Sequence, residues 1–210
     1  MKPLTSKSRL AIVLSRLEGF YEPKVMEEQY SMDSEIGASV LWNAHLLGDI
    51  KGKVIADFGC GTGILGIGTL LLGAKHVLFV DNDENALVIA KNNILKVKSE
   101  GYKLGQAEFV CQDIGKLEIK AYIVIQNPPF GTKIRHNDAY FLEKALKTAS
   151  VVYSFHKSES KGFLERFAAK KNAKITHIWD FKFPLKAAFS FHQRQIHRIN
   201  VSCLRLEIKK

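Results

Sequence analysis

The stretch VIADFGCGTGILGIGTLLLGA, Val54 to Ala74, decides how this chain is read. Residues 54–60 are apolar and β-branched and read as a buried strand. Residues 63–74 carry apolar side chains all round and read as a helix closed by Gly73. Between them lie Gly59, Gly61 and Gly63, spaced so that the backbone can turn sharply and a ligand can approach it closely. The helix that follows offers free N–H groups and the positive end of its dipole to whatever the loop holds. A strand, a glycine turn and a helix in direct succession open a parallel βαβ unit.

The rest of the chain continues that rhythm. Residues 76–81 read as a strand, 84–98 as a helix, 107–113 and 121–127 as strands, 138–149 as a helix, 150–157 as a strand, and 158–172 as a helix with a serine N-cap. The pattern then changes. KITHIWDFKFPL and IHRINVSCLRLEIK alternate over longer spans with no helix between them, as an antiparallel hairpin at a sheet edge does. Trp179, Phe181 and Phe183 share one face of the first of these strands and read as core. The expectation is an α/β domain over residues 51–210. It is a Rossmann-like, seven-stranded, mostly parallel sheet with helices on both faces and an antiparallel C-terminal hairpin, preceded by a short helical extension over residues 1–50.

Composition sets the outer limits. The 210 residues are 46% hydrophobic and 25% charged, ordinary for a globular protein with one core. No apolar run approaches the ~20 residues of a membrane helix, and the N-terminal apolar stretch is broken by Arg16, so it reads as an amphipathic helix and not a signal peptide. Cys60, Cys111 and Cys203 are odd in number and far apart, which suits reduced thiols and a cytoplasmic protein. No Cys or His pair has zinc-ligand spacing. The net charge of +10 is unevenly spread: residues 1–132 hold 14 Lys and Arg against 15 Asp and Glu, residues 133–210 hold 17 against 6. A basic C-terminal third points to a polyanionic partner, nucleic acid above all; a solvated basic surface is the alternative.

Two further acids agree with the glycine loop. Asp81 ends the second strand, 20 residues beyond Gly61, where dinucleotide folds hold a ribose hydroxyl. Asp113 ends the third strand, and Ile114 beside it would flank an adenine ring. Gly61 to Gly66 satisfies G-x-G-x-x-G, so a nicotinamide dehydrogenase is one reading. The loop, however, starts earlier, as Asp57-x-Gly59-x-Gly61-x-Gly63, which resembles the S-adenosylmethionine loop of Rossmann-like methyltransferases. In that reading Asp57, Gly59, Gly61, Thr62, Gly63, Ile64, Asp81, Asn82, Asp113 and Ile114 line the donor.

The fourth strand ends in Asn127-Pro128-Pro129-Phe130. Two prolines forbid further ladder bonding, and ligands of such sheets bind beyond the carboxyl ends of the strands. The motif resembles the Asp/Asn/Ser-Pro-Pro-aromatic signature of amino-methyltransferases. An exocyclic amine is a poor nucleophile because its lone pair is delocalised. The Asn127 side-chain oxygen and the Pro128 carbonyl would accept its N–H groups and aim the nitrogen at a methyl sulfonium, and an exposed Phe130 would stack on the base.

EQY (28–30), NPPFGTK (127–133), YSFHKS (153–158) and FSFHQRQ (189–195) together resemble the methyltransferase-like protein five family of RNA adenine-N6 methylases, over essentially the whole chain. The resemblance implies methyl transfer to an adenine of small-subunit ribosomal RNA and, in eukaryotes, a small zinc-binding activator subunit shielding an apolar edge. It also implies that Gln29 and Tyr30 close over the donor. Lys133, Arg135, His156, Lys157, His192 and Arg194 are the candidate RNA contacts. A protein-glutamine or guanine-N2 methyltransferase is the nearest alternative, although glutamine enzymes carry a longer N-terminal substrate domain than about 50 residues. A non-catalytic RNA-binding assembly factor is another.

Overall fold

A computed structural model describes residues 4–21, 23, 29, 31–130, 137–185 and 197–209. Seven strands form one sheet in the order β3-β2-β1-β4-β5-β7-β6. They are β1 (Val54–Phe58), β2 (His76–Asp81), β3 (Gln106–Cys111), β4 (Ala121–Gln126), β5 (Ala149–Lys157), β6 (Ala173–Leu185) and β7 (His197–Ile208). The first five pair in parallel, and β7 enters antiparallel between β5 and β6. The order reverses between β1 and β4, which leaves a crevice beyond their carboxyl ends. The expected fold is the observed one.

Among the described residues, six α-helices cover the sheet. α1 (Lys7–Leu14), α2 (Ser34–Leu46), α3 (Ile64–Leu71) and α4 (Glu84–Ser99) share one apolar core with one face; α5 (Asn137–Thr148) and α6 (Lys161–Lys170) share a second core with the other. Covered on both faces, the central strands are almost continuously buried. Helix starts follow side-chain caps: Ser6 accepts from the Arg9 N–H, Asp33 from Glu35 and Ile36, and Asp83 from Asn85. No helix among the described residues is long and apolar enough to cross a membrane.

One helix start differs from expectation. Residues 158–160 form a single 3-10 turn and α6 begins only at Lys161. Ser158 does not cap it. Its hydroxyl lies 2.8 Å from that of Ser202 on β7, so a tertiary hydrogen bond has displaced the local one. The hairpin also reaches further than its neighbour. β5 ends at Lys157 opposite Val201, whereas β6 and β7 stay paired to Leu185 and His197. Phe183 on this overhang is fully buried, with Trp179 and Phe181 half-buried on the same core, as the alternation implied.

The segment between α2 and β1 is fastened to the far side of the sheet by a buried ionic cluster. Arg205 of β7 donates to both carboxylate oxygens of Asp49, at 2.8 and 3.3 Å. The Tyr153 hydroxyl donates to the same carboxylate at 2.6 Å, and Arg205 reaches Thr176 at 2.8 Å. Arg205 also donates to Glu207, at the exposed end of the cluster. Removing Asp49 therefore leaves the guanidinium one carboxylate but strips its buried side and the Tyr153 hydroxyl of their shared acceptor. Asp49→Ala is expected to lower the unfolding free energy by about 2 kcal/mol in a denaturant titration; a loss below about 0.5 kcal/mol would show that Glu207 and water replace Asp49 in full.

Candidate active site

The register of the parallel strands assembles the site. Phe58, the last residue of β1, sits beside Gln126, the last of β4, so the glycine loop and Asn127 leave the sheet side by side. Asp81 closes β2 beside Cys111 of β3, which brings Asp113 to the same rim. Among these ends runs a cleft of about 230 Å³, lined by Asp57, Gly59, Gly61, Thr62, Ile64, Asp81, Asn82, Asp113, Ile114, Asn127 and Pro129, with Gln29 at its edge. These expected positions come together. Gly63 sits just behind, as the N-cap of α3.

The loop takes left-handed backbone at Gly59, Gly61 and Gly63, most tightly hemmed in at the last two. Gly61 has φ +52° and a Cβ there would meet the Phe20 ring at 2.8 Å; Gly63 has φ +86° and a Cβ would meet Ala90 at 3.0 Å. Two carboxylates hold the loop and the first turn of α3. Asp57 Oδ2 accepts the Gly66 N–H at 2.8 Å, and Asp81 Oδ2 accepts the Gly61 N–H at 2.7 Å while its Oδ1 accepts from Asp83. Burial pushes the Asp57 carboxyl up to about 8, opposed by the Gly66 hydrogen bond and reinforced by the charge of Asp81. Asp81 is raised by the same cause, against its backbone hydrogen bonds. Gln29 donates to Asp83 Oδ2 at 2.8 Å, at the start of α4. Asp113 Oδ1 accepts from the Gly115 N–H and the Tyr140 hydroxyl.

Asn127 carries the most telling feature. Its side-chain oxygen is buried without a hydrogen-bond partner, and an unpaired buried carbonyl costs about 1–3 kcal/mol unless a ligand supplies a donor. That oxygen, the acid-pinned loop and the acids at two strand ends fit a cationic nucleoside donor beside an amine acceptor.

Several expectations change. Phe130 is 9% exposed and does not line the cleft. Its ring meets Phe183 edge to face, centroids 6.1 Å apart, because the hairpin overhang reaches over the motif; it stands as a buttress and not as an exposed stacking platform. Pro128 is likewise buried behind the lining. His156 is 1% exposed, with its ring 2.7 Å from the Ser154 hydroxyl, and so presents nothing to RNA; it stands one residue before the end of β5, paired with Ser202 of β7 and turned toward Asp138 at the start of α5. Lys157 is half-buried, 3.8 Å from Glu159. Tyr30, Lys133, Arg135, His192 and Arg194 lie outside the described residues.

The cleft also holds residues that the sequence did not signal. Phe20 covers Gly61, and Phe141 and Tyr140 from the first turn of α5 wall the cleft beside Gly59 and Asp113. Asn93 of α4 ties the Phe20 segment down: it accepts from the Glu18 N–H at 2.8 Å and donates to the Glu18 and Thr62 carbonyls at 3.0 Å each. The α5 pair had a usable signal, since the first turn of a helix that follows a parallel strand faces the carboxyl-end crevice. Phe20 had none.

Sheet order, acid-pinned glycine loop and strand-end motif define a Rossmann-like, S-adenosylmethionine-dependent methyltransferase. The family model for ribosomal protein L11 methyltransferase (PrmA) matches residues 43–127, the donor half. The chain is 36% identical to the zebrafish (Danio rerio) rRNA N6-adenosine-methyltransferase METTL5, covering 91% of this chain and 94% of that one, and 33% identical to the Drosophila melanogaster protein of the same name, over 95% of each. The crystal structure of PH1948 from Pyrococcus horikoshii, a proposed RNA methyltransferase, superposes with a TM-score of 0.89 at 38% identity, over 99% of this chain and 100% of that one. The chain belongs to the METTL5 family of rRNA N6-adenosine methyltransferases.

The raised Asp57 carboxyl has a measurable consequence. A carboxyl that titrates near 8 when folded and near 4 when unfolded adds stability that is fully present below about pH 4 and is lost as pH rises through about 8. A bound cation shifts the same group toward its ionised form. Calorimetry of S-adenosylmethionine binding in buffers of different ionisation enthalpy should show proton release at about pH 7 that fades above about pH 9, and Asp57→Asn should abolish it. Release unaltered in Asp57→Asn would place the titrating group elsewhere.

Proposed function

We propose that the protein transfers a methyl group from S-adenosylmethionine to the N6 amine of an adenine in small-subunit ribosomal RNA. The observation that carries this is the partnerless, buried Asn127 oxygen at the end of β4, beside a donor cleft. The donor supplies an electrophilic methyl on a sulfonium whose sulfur keeps the electron pair when the bond to carbon breaks. Asn127 accepts one N–H of the adenine amine and a motif backbone carbonyl accepts the other. Both hydrogen bonds draw density onto the nitrogen and fix its line of approach. The new C–N bond leaves the methylated amine positively charged, and it then loses one of its protons to solvent water; the neutral Asn127 amide and backbone carbonyl orient the amine and do not take the proton. Asp81 receives the ribose hydroxyls of the donor, and Asp113, one oxygen already occupied by Tyr140, offers the other to the donor's adenine amine.

The basic C-terminal third supports an RNA acceptor over a protein one. The match to the L11 methyltransferase model ends at Asn127 and so bears on the donor half alone. An activator subunit gains no support from the sheet edges: no large apolar side chain of β3 or of residues 173–184 of β6 is exposed.

The test incubates the protein with labelled S-adenosylmethionine and ribosomal RNA and analyses digested nucleosides by mass spectrometry. Label is expected in N6-methyladenosine, and Asn127→Ala should lower kcat about 100-fold with donor affinity unchanged. Label in another base would move the acceptor; label in protein would favour the glutamine reading.

A further inference from the structure

Three of the four buried side-chain polar atoms without a partner among the described residues belong to Gln126, Asn127 and His156. They surround one structure that the methyl-transfer chemistry does not use. Gln126 ends β4 and lies in register with Ser154 of β5. Its amide donates to the Ser154 hydroxyl at 2.9 Å, and that hydroxyl lies 2.7 Å from His156 Nε2. All three side chains are inaccessible to solvent. Ser154 accepts from Gln126, so its own proton is available for His156 Nε2, which leaves the ring proton on Nδ1. Nδ1 faces Asp138 Oδ2 at 3.9 Å, in the first turn of α5. The His156 ring holds the Asp138 carboxyl below its ordinary range, against the opposing effect of partial burial.

We propose that Gln126, Ser154, His156 and Asp138 form a buried clamp that positions the Asn127–Phe130 motif for methyl transfer. The proposal rests on the amino-methyl-transfer reading above. Gln126 immediately precedes the motif and Asp138 opens the helix after it, so one side-chain chain grips both flanks of the segment that presents the acceptor amine. The same helical turn carries Tyr140 and Phe141, which sets the donor wall and the acceptor loop in a common frame. These are positioning residues. They touch neither substrate, and a small displacement of the motif is enough to spoil alignment. A polar cluster retained only for core packing would lack the tie to the α5 turn.

Asp138→Asn separates the two roles, because asparagine keeps the acceptor that Asp138 Oδ1 offers the Ala139 N–H and loses the charge toward His156. Ser154→Ala breaks the middle of the chain. Each is expected to lower kcat about tenfold on ribosomal RNA with donor affinity held within about twofold, and the double variant should be no worse than the poorer single one. Unchanged kcat in Asp138→Asn, or losses that multiply, would overturn the clamp. Nitrogen NMR of the His156 ring reads the clamp without activity. A neutral Nδ1–H tautomer that responds to Asp138→Asn is expected, and an Nε2–H tautomer indifferent to it would overturn the proposal. A wild-type protein inactive on every RNA would instead overturn the adenine reading, and the NMR result would still decide the clamp.

Discussion

Everything at the working end of this molecule depends on two carboxylates that grip the backbone of the glycine turn and of the helix it opens. Asp57, one residue before the end of β1, accepts the Gly66 N–H in the first turn of α3, and Asp81, at the end of β2, accepts the Gly61 N–H. An acid buried this deeply is costly to ionise, and the loop's amides and the α3 N-terminus repay part of that cost. The chain passes from β1 to α3 through left-handed backbone at Gly59, Gly61 and Gly63, a course that other residues adopt only with strain.

Onto this floor the chain folds walls from three distant places. Phe20 comes from the N-terminal segment and is kept there by Asn93 of α4; Tyr140 and Phe141 come from α5; Phe183, on the hairpin, backs Phe130. Each wall is an aromatic ring against glycine or another ring, where bulk and stiffness matter more than polarity. The polar groups left without partners are then few and concentrated at Asn127 and directly behind it.

The parallel sheet was legible because its signals are local and periodic. Short apolar runs end at glycine or acid, and helices of the right length separate them. The donor residues from Asp57 to Ile114 followed from strand ends, since the fold class dictates which end binds. What stayed hidden depends on contacts between residues far apart in sequence. His156 looked like an RNA contact because a histidine next to lysine and phenylalanine carries no mark of burial; only pairing of β5 with β4 and β7 encloses it. Phe130 looked exposed because nothing near it announces Phe183, 53 positions later. Ser158 had the chemistry of a cap and a better partner in Ser202.

The insertion of β7 between β5 and β6 gives the hairpin a leverage that sequence distance hides. Among the described strands, β6 touches the sheet only through β7. Without β7, β5 would be an open edge, Phe183 would have no neighbouring strand to hold it, and Phe130 would lose its buttress. The donor cleft is lined from residues 20–141, yet the motif at its rim leans on a strand pair that starts at residue 173. The sheet's antiparallel margin is thus the keystone of its parallel half.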